Sequence, residues 1–204
     1  MVQKTTKLLT ILIALSLMVI SCNKDDDNDN DNDLNATTVK IDASSYTDWV
    51  YFSFSTGGLV TENDPANSTS WDLGLMRHAF RTNSGTSGSG NGGVINAGAV
   101  DFDTYLEAPS NGYTVDDTVL IGAADDPMHI PAIPVPGSSV ISYTWGTLDM
   151  TTHQYTMSNN VFVIKTADGK YAKMIVKNYY SDEGTSGNYT IDYVYQEDGT
   201  TSFE

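Results

Sequence analysis

The sequence predicts an all-β fold: a single domain of many short antiparallel strands, behind a signal segment and an acidic tether. Three observations predict it. β-Branched and aromatic residues gather in runs with period-two stretches, the pattern of strands with one buried face. Turn-forming pairs separate the runs: Gly57-Gly58, Asn111-Gly112, Asp168-Gly169 and Asp198-Gly199. No long segment has a sustained helical period, although a short helix within 42–49 fits the residues there. No internal repeat is visible.

Taken in order, the first element is a leader. Residues 1–7 carry Lys4 and Lys7 and no acid, and residues 8–20 are almost wholly apolar. That is a charged region followed by an apolar core too short to span a bilayer as an ordinary helix. Ser21 and then Cys22, the single cysteine of the chain, close it. The arrangement reads as a lipobox, with a signal peptide over 1–21 and Cys22 as the lipidated first residue. The competing reading is a plain signal peptide with a chance cysteine. The stretch "CNKDDDNDNDNDLN" follows, and residues 22–36 are expected to form a solvated tether, because repeated Asp and Asn repel one another and bury nothing. An EF-hand loop alternates Asp and Asn too, but it needs a turn Gly and a final Glu that are missing here. An acidic run behind a lipidated cysteine resembles the export signal of some surface lipoproteins. The expected location is therefore the outer membrane, lipid-anchored and facing outward, with release from the cell a second outcome.

The folded domain is expected over 37–204. Its strand-like runs are "WVYFSFS" (49–55), "YTVDDTVLI" (113–121), "SVISYTW" (139–145), "NVFVIKT" (160–166), "YAKMIVKNYY" (171–180) and "YTIDYVYQ" (189–196). The run "NVFVIKTADGKYAKMIV" predicts a hairpin with Asp168-Gly169 at its tip. The chain carries a net charge of −16, and loss of Lys4 and Lys7 with the signal takes it to −18. Such acidity argues against nucleic acid and against anionic lipid surfaces, leaving membrane attachment to the anchor alone. With Cys22 lipidated, no thiol remains for a disulfide, thiolate catalysis or a zinc–sulfur site.

The motifs that would carry catalysis are missing. There is no G-x-S-x-G elbow and no H-E-x-x-H pair, and three histidines among many Ser and Asp do not define a triad. Gly88, Gly90 and Gly93 match G-x-G-x-x-G, but "VINAGAV" follows where a phosphate-binding helix would have to start. The chain reads as a binding protein, not an enzyme.

One long stretch is more specific. "SWDLGLMRHAFRTNSGTSGSGNGGV" (70–94) resembles the signature of the HmuY-type haemophores, all-β surface lipoproteins that bind haem for delivery to an outer-membrane transporter. "VKIDASSYTDWVYFSFSTG" (39–57), "PSNGYTVDD" (109–117) and "MSNNVFVIKTADGKYAKMIVKNYY" (157–180) resemble further family segments in the same order. The resemblance implies haem as cargo and a TonB-dependent transporter as partner, with host haemoproteins as a source. The alternative is a module of the same fold that has lost haem and binds glycan or a partner protein through its many Tyr and Trp.

In that family two side chains from separate loops hold the iron, histidines in some members and methionines in others. The resemblance puts the first ligand in "IGAADDPMHIPAIPVPG" (121–137) and the second in "WGTLDMTTHQYTM" (145–157), where counting from Trp145 reaches Met150. The first is Met128 or its neighbour His129. Adjacent side chains on an extended backbone point apart, so one of the two faces the iron. Met128 is preferred because its partner is already methionine. Thioethers suit soft iron sites. His153 is a rival second ligand, and Thr151 and Thr152 are weak candidates for the propionates. Tyr143 and Trp145, with Ile130, Ile133 and Val135, are candidate pocket walls or ordinary core. The resemblance gives the segment of Met76, His78, Arg81 and Asn83 a structural place away from the iron. Met157 and Met174 read as core.

Overall fold

The structure, a computed structural model, describes residues 35–122 and 132–204. Thirteen strands and one helical turn lie among the described residues. The strands are β1 (Thr37–Asp42), β2 (Val50–Ser53), β3 (Gly58–Val60), β4 (Leu73–Met76), β5 (Ala79–Thr82), β6 (Gly93–Gly98) and β7 (Asp117–Ile121). After these come β8 (Ile133–Gly137), the turn α1 (Ser139–Ser142), β9 (Gly146–Asp149), β10 (Gln154–Met157), β11 (Val161–Lys165), β12 (Tyr171–Tyr180) and β13 (Ser186–Gln196). Every paired ladder is antiparallel. The fold class predicted from the sequence holds.

Two sheets make the body: five strands in the order β1-β13-β12-β11-β6, and four in the order β3-β2-β4-β5. Their facing residues form the main core, with Phe52, Leu73, Leu75 and Phe80 from the smaller sheet and Phe162, Ile164, Met174 and Ile191 from the larger. β13 alternates buried and half-buried positions along most of its length, as a strand with one core face must. β11 is buried on both faces: Phe162 and Ile164 enter the main core, while Val163 packs with Ala108, Val194 and Phe203 on the other side. That double cover explains why "VFVI" is a continuous apolar run. The hairpin of β11 and β12 turns over Asp168-Gly169, with Gly169 at φ +90°, as expected.

The glycine-rich loop before β6 is organised by Asn83, which is fully buried. Its amide donates to the carbonyls of Ser68 (2.8 Å) and Trp71 (2.9 Å), and its side-chain oxygen accepts from the Gly90 N–H (2.9 Å). A Cβ at Gly88 would stand 2.1 Å from that oxygen, and one at Gly92 would stand 2.6 Å from the Asn83 carbonyl. The glycines are there because the backbone folds directly onto Asn83, so the loop is structural. No phosphate-binding helix follows it; β6 does.

Two local expectations fail. Residues 43–49 are not helical. Ser45 Oγ accepts from the Thr47 and Asp48 N–H groups, and Asp42 accepts from the Ser44 N–H, so short polar side chains hold a turn there in place of a helix. The run "SVISYTW" contains α1 and not a strand. Ser138 caps it, its hydroxyl accepting from the Ile141 N–H. Ile141 and Trp145, four apart, both enter the main core. This i, i+4 pair behind a capping serine was the signal that the β-branched composition hid.

Candidate functional site

Two short two-stranded ladders, β7–β8 and β9–β10, stand outside the main sheets. Together with α1 and the β4–β5 turn they enclose an open cleft of about 510 Å³. Sites for small molecules and cofactors span roughly 300–1,000 Å³. Leu120, Leu148 and Tyr155 supply apolar walls, and among the described residues no Lys, Arg, Asp or Glu lines it.

Met150 lines this cleft and is 62 % exposed. It opens the β9–β10 turn, where Asp149 and Gln154 form the last pair. The Asp149 carboxylate accepts from the Thr151 N–H (2.7 Å) and the Thr152 N–H (3.3 Å), and its carbonyl accepts from the His153 N–H (2.7 Å). These donors hold the Asp149 carboxyl below the ordinary carboxylate range and fix the turn that presents Met150. The amides of Thr151 and Thr152 are thereby engaged. His153 is exposed, at φ +56°, and does not line the cleft.

The other candidate ligands, Met128 and His129, and with them Ile130, lie outside the described residues. Gly122 and Ala132, the residues on either side of that interval, both line the cleft.

Tyr143 and Trp145 part company. Two residues apart on a strand they would share a face. The α1 turn instead sends Trp145 into the core, 1 % exposed, and leaves Tyr143 on the cleft, 53 % exposed. The Tyr143 hydroxyl accepts from the Leu120 N–H at 2.8 Å and so ties α1 to β7. Trp145 sits one layer behind the wall: its ring stacks on Tyr155 at 4.7 Å, and its indole N–H donates to the His78 carbonyl at 2.9 Å. Ile133 is 48 % exposed on β8, and Val135 packs against Met76, Ala79, Val119 and Ile121. Met157 packs against the main core, and Met174 is buried in it.

His78, for which the resemblance implies a structural place away from the iron, lines the same cleft as Met150. Met76 pairs with Ala79, so Arg77 and His78 are the two central residues of the tight β4–β5 turn. That turn is brought under β10 by tertiary packing alone: the His78 and Tyr155 rings are near-parallel, 20° apart, with centroids at 6.4 Å. The sequence signal available was a histidine at a hairpin tip, which does not say what the tip meets.

The chain matches the HmuY protein family over residues 45–193. Three solved structures are similar. A Bacteroides vulgatus chain classed as an HmuY-like heme binding protein is 24 % identical, with 79 % of this chain and 92 % of that chain covered, at a TM-score of 0.59. The apo HmuY analog of Tannerella forsythia is 22 % identical, covering 79 % and 96 %, also at 0.59. Apo PinO from Porphyromonas gingivitis is 16 % identical, covering 80 % and 98 %, at 0.64. At these identities the structures establish the shared fold. No curated protein matches the chain.

Proposed function

The chain belongs to the HmuY family, and from that premise we propose that it is a lipoprotein that binds haem as cargo and does not transform it. One observation carries the reading: a cleft with apolar walls and Met150 on its lining, to which Gly122 and Ala132, the described residues flanking 123–131, also contribute. A macrocycle needs apolar walls, and its iron needs two side chains from separate loops. Met150 supplies one. Met128 is the proposed other, with His129 the alternative. Tyr143 is proposed as a wall. Residues 1–21 are proposed as the signal peptide and 22–36 as the tether, so that 37–204 stands on a lipidated Cys22 at the outer-membrane surface. A TonB-dependent transporter is the proposed recipient, and host haemoproteins are a source.

Thioether ligation raises the haem potential relative to imidazole, which by linkage is the same fact as tighter binding of reduced haem. The test is an absorbance titration of the purified domain with ferric and with dithionite-reduced haem. The expected result is saturable 1:1 binding, tighter in the reduced form. Absence of binding in both forms overturns the reading, and leaves exposed Leu120, Ile133 and Tyr143 as a contact surface for glycan or a partner protein.

A further inference from the structure

We infer that His78 is a further iron-binding residue of this cleft, its imidazole taking ferric iron on the face opposite Met150. The inference rests on the haem reading above. Both side chains line the cleft, and each stands on the tip of its own hairpin, β4–β5 for His78 and β9–β10 for Met150. Among the described residues, the lining holds one imidazole and one thioether.

The turn that presents His78 is built at a cost. Arg77 has φ +51° at the first central position of a two-residue hairpin, where glycine is usual. A non-glycine residue there costs on the order of 1–3 kcal/mol and persists only where its surroundings over-determine it. They do so from several sides. The Arg77 N–H donates to the Ala43 carbonyl (2.8 Å), and the Arg77 carbonyl accepts from the Tyr189 hydroxyl (2.7 Å). Its guanidinium donates to the Ser186 carbonyl (3.1 Å) and hydroxyl (2.9 Å), and lies 4.3 Å from the Tyr46 ring centroid. Backbone strain that is held this firmly clusters at functional sites.

Two neighbours hold His78 in place at the turn. Trp145 holds its carbonyl, and Tyr155 lies parallel to its ring. Its Nδ1 is buried, so a bond to iron would run through Nε2. Oxidised iron is the harder ion and takes imidazole in preference to thioether.

The test uses the 37–204 domain and its ferric haem complex, read by absorbance and electron paramagnetic resonance. The unaltered domain should give a low-spin ferric spectrum with one imidazole and one thioether ligand. His78→Ala should weaken ferric binding at least tenfold and remove the imidazole signature, and added free imidazole should restore it. His78→Gln, which keeps side-chain bulk at the turn, should behave alike with an unchanged melting curve. An imidazole-free spectrum of the unaltered complex overturns the inference without recourse to any variant. So does a wild-type spectrum and affinity in His78→Ala, or loss of the imidazole signature in His129→Ala. Each of those results leaves haem binding itself intact. Failure of the unaltered domain to bind haem in either oxidation state overturns the haem reading, and this inference with it.

Discussion

Single residues carry both the chemistry and the pH response. If Met150 and Met128 hold ferrous iron, Met150→Ala and Met128→Ala should each weaken ferrous haem by about tenfold or more, roughly 1.4 kcal/mol. His129→Ala should change it little. Thioethers do not protonate, so ferrous affinity should stay flat from pH 5.5 to 7.5; a collapse across that range, coupled to loss of binding in His129→Ala, would assign the second ligand to His129. A different residue governs stability. Asp116 is buried where the Thr82 N–H (2.8 Å) and hydroxyl (2.6 Å) donate to it. Burial pushes its carboxyl up to about 6 against an ordinary 3.8, outweighing those donors. The folded state then binds the proton more tightly than the unfolded state. Its contribution is fully present below about pH 4 and is lost as pH rises through about 6, a span worth roughly 3 kcal/mol. Melting temperatures across pH 4–7 should show Asp116→Asn lacking that slope relative to the parent; parallel curves would remove Asp116 as its source.

At the scale of elements, the glycine loop and the hairpin tips divide the labour. Gly92 lies against the Asn83 backbone, with no room for a Cβ, and Gly93 opens β6 with its Cβ position 3.0 Å from that of Tyr113. Gly92→Ala should cost on the order of 1–3 kcal/mol, as overpacking does. For a domain of this size that lowers the melting temperature by several degrees. Haem affinity measured below the transition should be unchanged, because the cleft is lined from other elements. Loss of affinity without a change in melting would make the loop functional. The tips of β4–β5 and β9–β10 lie outside the sheets' registers and tolerate the left-handed backbone of Arg77 and His153. That is where ligand-bearing side chains can be aimed without disturbing the two-sheet core.

For the whole molecule, attachment and folding are separable. No helix among the described residues is long and apolar enough to cross a membrane. A lipid on Cys22, with its second acyl chains, would be anchor enough. Cys22→Ala should therefore move the protein from the membrane to the soluble fraction with its haem binding intact; unchanged membrane retention on fractionation would refute the lipobox. Replacing Asp25, Asp26 and Asp27 by Ala should leave lipidation alone and lower surface labelling of intact cells. Equal labelling would remove the tether from export.

What the sequence determined by itself is what short-range patterning can encode. Period-two runs and turn pairs specified the strands, and the Asp168-Gly169 hairpin stands where composition put it. The signature around Trp71 and Asn83 identified the family, because the buried amide of Asn83 and the glycines it requires leave a dense local record. Met150, the position that the family resemblance implies by counting from Trp145, lines the cleft. The tertiary structure decided the rest. "SVISYTW" has strand composition but folds as α1, since Ile141 and Trp145 gain a shared core only when a helical turn aligns them. The same turn separates Tyr143 from Trp145. His78 reaches the cleft because Tyr155, on a ladder 77 residues further along, stacks on it. Contacts of that separation leave no period in the sequence: they depend on how two hairpins dock, which is set by buried area and packing and not by either hairpin's own residues.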